Sequence, residues 1–157
     1  MKNSFIYIII AIFFLSLIGC EASPNYDEIN SHIQAHDIEL GQDPDTVFDL
    51  LGETPEQEMC VYGYEYTFVK TGLNIGFRLD NDTVRRVTIR NSDDRIYGIQ
   101  VGDALEDVSE VMKNHGYEKD ESLANRYVHK DLYFTAVSKD GLSIDQLIIE
   151  VIDDGVL

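Results

Sequence analysis

The chain has 157 residues, a formal net charge of −17 and 44% hydrophobic residues. A surface this acidic argues against nucleic acid as a partner, because phosphate binding requires clusters of Lys and Arg. The apolar content is ordinary for a folded domain, which excludes a disordered acidic tail and fits one domain or two small halves with a shared core.

The start of the chain has the layout of an export signal. Lys2 supplies one positive charge, and an almost unbroken apolar run extends from Phe5 to Leu15. The run is shorter than the roughly 20 apolar residues that a membrane-spanning helix needs. We therefore predict that residues 1–19 are a signal peptide that is removed on export.

The apolar run is followed by Leu17-Ile18-Gly19-Cys20. This motif resembles the lipobox of bacterial lipoproteins. The resemblance implies cleavage before Cys20, a diacylglycerol thioether on its sulfur, and anchoring in the lipid bilayer without a transmembrane helix. It places the protein in the bacterial cell envelope, on the extracytoplasmic side of a membrane. The alternatives are an ordinary secretory signal with an incidental cysteine and an uncleaved membrane anchor.

Residues 20–37 are predicted to be the lipidated cysteine, a polar tether and a short helix. His32 and His36 are four positions apart and permit a shared helix face. Two histidines are too few for a metal site, so we predict no metal and no cofactor. The chain has no Gly-rich phosphate loop, no Gly-x-Ser-x-Gly elbow and no His-Glu-x-x-His motif, which favours a protein that is not an enzyme.

The remaining sequence contains an internal repeat. Residues 38–51 read IELGQDPDTVFDLL, and residues 99–112 read IQVGDALEDVSEVM. Gly41 and Val47 correspond to Gly102 and Val108, 61 positions later. A period of this length indicates a duplicated structural unit. We predict one unit over residues 38–95 and a second over residues 96–157.

Each unit is predicted to be a helix followed by an antiparallel meander. The helices span residues 43–51 and 103–115, with Asp43 or Asp103 at the start and Gly52 or Gly116 at the end. His115 is predicted to be a cation at the end of the second helix. The predicted strands are 61–69, 73–79 and 83–89, then 126–129, 132–138 and 144–152. The expected fold is an α+β domain with the helices on one face of a sheet.

Two short groups of residues carry a further resemblance: Leu40-Gly41, Val47 and Gly52, and then Val101-Gly102, Val108 and Gly116. A glycine, a short acidic helix, a second glycine and a Tyr-rich hairpin resemble the SmpA/OmlA-like lipoprotein fold. The tandem form is similar to β-lactamase inhibitor protein and to tandem-repeat lipoproteins. The resemblance implies this fold and a binding role, and it carries over no contact residues.

One strand carries a candidate binding face. Tyr62, Tyr64 and Tyr66 alternate along it and therefore project from the same side. They either pack under the helices or form an exposed platform for a partner, and tyrosine suits the platform because it joins a rigid ring to a polar tip. If the tyrosines are buried, the next candidate surface is Ile148, Glu150 and Ile152 on the last strand, where they alternate with Leu147, Ile149 and Val151. Only one of the two sets can face the helices, and the outward set is an apolar strip that a solitary soluble protein would rarely expose.

We predict from these features a non-enzymatic envelope lipoprotein that acts as a protein-binding or assembly module. Its predicted partners are the lipid bilayer, through acylated Cys20, and another envelope or secreted protein. The alternative is a protein inhibitor or immunity-type factor that binds a secreted enzyme.

Overall fold

The structure, a computed structural model, describes residues 26–60 and 63–152. The predicted signal peptide, Cys20 and Tyr62 lie outside the described residues. The described part has a large antiparallel sheet and few helices. The predicted α+β class is therefore confirmed.

The helices are short. They are α1 (Asp27–Asn30), α2 (Pro44–Leu51) and α3 (Val108–Asn114), which a single 3-10 turn (Leu105–Asp107) precedes. The strands are β1 (Ile33–Gln34), β2 (Glu56–Cys60), β3 (Gly63–Phe68), β4 (Leu73–Arg78), β5 (Val84–Ile89), β6 (Arg95–Ile96), β7 (Ile99–Gln100), β8 (Glu118–Lys119), β9 (Arg126–His129), β10 (Leu132–Val137) and β11 (Gln146–Val151).

The main sheet has eight strands in the order β2-β3-β4-β5-β11-β10-β9-β8, and all neighbouring strands are antiparallel. Each half of this order is a meander of four consecutive strands. The two meanders meet where β5 pairs with β11, with Val87 opposite Ile149. A smaller sheet has the order β1-β6-β7, with Ile96 opposite both Ile33 and Ile99.

One face of the main sheet forms the core. The register places Leu73, Ile89 and Leu147 side by side on β4, β5 and β11, and each has 0% of its surface exposed. Successive side chains of a strand alternate between faces, so this register fixes which residues of the neighbouring strands are buried.

Helices α2 and α3 lie against this same face. Phe48 of α2 has its ring centroid 6.1 Å from that of Phe68 on β3. His115, at the end of α3, lies 4.4 Å from Tyr97, whose ring lies 6.4 Å from that of Phe134 on β10. The buried residues Val47 and Leu51 of α2 and Val108 and Met112 of α3 belong to the same hydrophobic core.

The opposite face carries a row of charged side chains across the centre of the sheet. Glu65, Gly76, Arg86 and Glu150 are consecutive partners on β3, β4, β5 and β11. Arg86 donates its Nε–H to Glu150 at 2.9 Å and a second N–H to Glu65. A Cβ added at Gly76 would lie 3.2 Å from the Arg86 Cβ. The glycine thus leaves room for Arg86 to reach over β4.

Two differences between the predicted and the observed elements are the most consequential. The chain has β2 before residue 61, whereas a single strand over 61–69 was predicted. β2 is an edge strand rich in polar residues, so its sequence lacks the apolar alternation of a half-buried strand.

The predicted start of the second helix is also wrong. Asp43 accepts a hydrogen bond from the Thr46 N–H at 3.0 Å and caps α2 as expected. Asp103 instead accepts from the Gln100 N–H at 2.9 Å, upstream of the helix. The α-helix begins only at Val108, after the 3-10 turn.

Candidate protein-binding site

Tyr64 and Tyr66, the two described tyrosines of the predicted face, lie on β3 and project toward the helix-covered side of the sheet. Tyr64 has Met59 of β2 as its partner on one side and Phe77 of β4 on the other. Both tyrosine rings are half-buried and pack against the core.

Aromatic contacts hold these rings in place. Tyr66 meets Phe48 of α2 edge-to-face, with the centroids 5.0 Å apart and an interplanar angle of 90°. Tyr64 stacks on Phe77 at 5.5 Å with an angle of 15°. Such pairs contribute about 0.5–1.5 kcal/mol beyond their burial. The rings are therefore rigid. One side of each ring contacts the core, and the other side is at the surface.

The Tyr64 hydroxyl is fixed by a carboxylate. It donates a hydrogen bond to Asp82, in the turn between β4 and β5, at 2.8 Å. Burial of the ring raises the pKa of Tyr64 to about 12, and the hydrogen bond with Asp82 and the charge of that carboxylate act in the same direction. The phenol is therefore neutral at physiological pH.

Two exposed apolar side chains accompany the tyrosines. Met59 is 76% exposed, and Leu79, which follows β4, is 61% exposed. We call Phe48, Met59, Tyr64 and Tyr66 the aromatic corner. An exposed, flexible methionine beside rigid rings is typical of surfaces that bind other proteins.

Negative charge borders the aromatic corner. Residues 43–60, which include α2 and β2, contain six carboxylates and no Lys or Arg. Asp45 and Asp49 are exposed and lie three positions before and one position after Phe48 on α2. Together with Asp82 they give this corner a negative potential, which attracts cationic groups.

The second candidate surface, on β11, divides as strand geometry requires. Leu147, Ile149 and Val151 are buried. Ile148 and Glu150 face the other side and are half-buried, and Glu150 holds Arg86. This outward strip is therefore interrupted by an ion pair.

The histidines do not form the pair that their spacing permits. His32 lies after α1 with its ring 4.7 Å from Tyr97, whereas the His36 Nε2 is 3.6 Å from a carboxylate oxygen of Asp94. Within residues 26–60 and 63–152, no three His, Cys, Asp or Glu side chains are grouped so that they could hold a metal ion.

Sequence reasoning missed Met59, Phe48 and the acidic border as parts of one surface. Met59 was missed because β2 was not predicted to be a strand. The polar run Glu56-Gln57-Glu58 shows no apolar alternation, so no local pattern indicated a strand there. The neighbourhood of Phe48 and Tyr66 depends on how α2 packs, which no local pattern encodes.

In the part of the chain that the structure describes, no helix is long and apolar enough to cross a membrane. Comparison with known protein families and with curated proteins finds no match. In fold the chain is similar to a solved structure described as an extracellular protein containing a SCP domain, from Bacillus anthracis str. Ames, with a TM-score of 0.55 and 12% identity. The match covers 88% of this chain and 50% of that one, so this chain spans about half the length of that protein. This likeness concerns the fold alone.

Proposed function

We propose that this protein is a non-enzymatic lipoprotein of the bacterial envelope that binds another protein through the aromatic corner. The observation that carries the proposal is Met59, which is 76% exposed next to the half-buried ring of Tyr64. Aromatic residues and Met are enriched where protein interfaces form, and rigid rings lose little entropy on binding.

The membrane anchor is a second part of the proposal. It rests on the apolar run before Cys20 and on the motif Leu17-Ile18-Gly19-Cys20. The chain has a formal net charge of −17 and is repelled by anionic head groups, so acyl chains on Cys20 are the expected means of attachment. The fold likeness to a protein described as extracellular is compatible with a location outside the cytoplasm.

The anchor is tested by mass spectrometry of the mature N-terminus. We expect a chain that begins at Cys20 and carries acyl groups, and no acylation after Cys20→Ser because the thioether needs the sulfur. An unmodified N-terminus at another residue would show that the signal belongs to an ordinary secreted protein.

The duplication of residues 38–95 and 96–157 is a third part. Gly41 and Gly102 both have left-handed backbones, with φ +88° and +98°. Each donates its N–H at 2.8 Å to a carbonyl at or just before the start of the strand by which its half joins the other half, Val84 for Gly41 and Ile144 for Gly102. The same two residues donate back to the carbonyls of Gln42 and Asp103 at 2.8 and 3.0 Å. These matching contacts, with the mirrored strand order, support two copies of one unit.

The binding role is tested by crosslinking and capture from native envelopes. We expect Met59→Ala to reduce the captured partner at least tenfold, because an interface anchor is worth roughly 1–3 kcal/mol. Leu142→Ala is the matched control, since Leu142 is 75% exposed in the other half of the chain. Equal capture by both variants would contradict the aromatic corner as the binding surface. Capture of one soluble secreted enzyme would indicate an inhibitor, and capture of envelope proteins an assembly module.

A further inference from the structure

We infer that the partner presents an extended segment in which basic and apolar residues alternate, and that this segment pairs with β2 as a ninth strand of the main sheet. The inference rests on the proposed function, because it assumes that the aromatic corner binds protein. It adds the class of partner and the way in which the partner docks.

The first argument is the open side of β2. β2 is at the end of the strand order, and no described strand lies on its outer side. Its residues from Glu56 to Met59 are all exposed. An edge strand of five residues presents unpaired backbone N–H and C=O groups, which are a template for an added strand.

The second argument is the distribution of side chains on β2. Glu56 and Glu58 project from one face of the sheet, whereas Gln57 and Met59 project from the other, toward the tyrosines. A strand added at this edge places alternate side chains next to each set. Lys or Arg would meet the two glutamates on one face, and apolar residues would meet Met59 and Tyr64 on the other.

The charge also decides against a second copy of this chain. Pairing β2 with β2 of another copy would place glutamates against glutamates, and like charges directly opposite each other destabilise a strand pair. The six carboxylates of residues 43–60 would add to this repulsion. The same charges attract a cationic segment.

The opposite edge of the sheet serves as an internal comparison. β8 has only two residues, Glu118 and Lys119, with charges of opposite sign. So short a strand offers few backbone groups for pairing. β2 therefore has the length, the exposure and the charge pattern that strand addition requires, whereas β8 does not.

The test uses the full-length protein in zwitterionic detergent and a fluorescent decapeptide of five Arg-Val repeats, with binding measured by anisotropy. We expect the double variant Glu56→Lys, Glu58→Lys to bind the peptide at least tenfold more weakly. The double variant Glu118→Lys, Glu121→Lys changes the net charge equally at exposed positions near β8 and should bind within twofold of the unaltered protein. A peptide of Glu-Val repeats should not bind.

Backbone pairing is tested with the Arg-Val peptide N-methylated at every second residue, which removes donors without changing the charge. Two such peptides exist, with the methyl groups on the odd or on the even residues. We expect one of the two to bind at least tenfold more weakly, because its methylated positions are the ones that donate to β2. Equal loss of binding in the two double variants, or unchanged binding of both methylated peptides, would overturn the inference by showing diffuse charge attraction.

If Met59→Ala abolishes capture in the envelope while the Arg-Val peptide does not bind, the inference is wrong and the proposed function stands. If the peptide binds as expected but Met59→Ala captures normally, the proposed function fails and the inference fails with it.

Discussion

Tyr64 joins the aromatic corner to the turn between β4 and β5. Its hydroxyl donates to Asp82 at 2.8 Å, and burial followed by the contact with that carboxylate raises the pKa of Tyr64 to about 12. The unfolded chain titrates this group near pH 10. Because the folded pKa is the higher one, the stabilisation is complete below about pH 10 and is lost as the pH rises toward 12.

We predict that Tyr64→Phe lowers the free energy of unfolding by about 1 kcal/mol at pH 7, the contribution of a typical hydrogen bond. The variant should also lose less stability than the unaltered protein between pH 10 and 12. Urea unfolding at both ends of this range measures both effects. If both proteins lose the same amount of stability between pH 10 and 12, the role assigned to this hydroxyl is contradicted.

Gly63, the residue before Tyr64, is required by a close approach between strands. A Cβ at this position would lie 1.9 Å from the carbonyl oxygen of Phe77. We predict that Gly63→Ala costs about 3 kcal/mol of stability, because a backbone oxygen inside a ladder cannot move without disturbing its neighbours. Gly98→Ala is the control, since no atom lies within 4 Å of its Cβ and only its φ of +76° opposes the substitution. Thermal unfolding should separate the two, and an equal loss would mean that the strands adjust freely.

At the scale of elements, the pairing of β5 with β11 joins the two meanders. Arg86 crosses this junction and pairs with both Glu150 and Glu65. All three side chains are between 17% and 26% exposed, so their interactions are only partly screened by water.

We predict that Arg86→Ala lowers the free energy of unfolding by about 2–3 kcal/mol, because two carboxylates lose their shared partner. Arg90→Ala is the matched control. Arg90 is exposed and donates to Gln146 at 3.0 Å across the same strand pair, so we expect a loss under about 1 kcal/mol. Chemical unfolding of both variants measures the two losses in free energy of unfolding. Similar losses would contradict a special role for Arg86 at the junction.

The two helices differ in how far local sequence specified them. Asp43 and Gly52 bracket α2 as predicted, because a cap and a left-handed glycine act within one turn of chain. The start of α3 was mispredicted, since Asp103 bonds to Gln100 and the bridge between Ala104 and Ser143 draws the preceding chain toward the second meander.

At the scale of the whole molecule, folding brings together aromatic rings that are distant in sequence. His32, which follows α1, lies 4.9 Å from His115 at the end of α3, and Tyr97 contacts both rings. His115 was predicted to be a cation. Partial desolvation beside the neighbouring rings lowers the pKa of His115, and the charge of His32 lowers it further. The neutral imidazole is therefore favoured in the folded state.

A lowered folded pKa gives a definite sign to the pH dependence. The stabilisation is present above the unfolded pKa of about 6.5 and is lost as the pH falls through the lower folded value. We predict that His115→Gln loses less stability than the unaltered protein between pH 7.5 and 5. The comparison between the two proteins removes the general effect of acid on a chain with net charge −17. Identical pH profiles would show that His115 does not titrate differently in the folded state.

Local and periodic patterns in the sequence were sufficient to predict three features. These are the α+β class, the cap and glycine that bracket α2, and the alternation that puts Tyr64 and Tyr66 on one side of β3. The exposure of those tyrosines could not be predicted, because it depends on how α2 packs through Phe48. The strand Glu56–Cys60 could not be predicted either, because a polar edge strand is stabilised by pairing with β3 and not by an apolar pattern of its own.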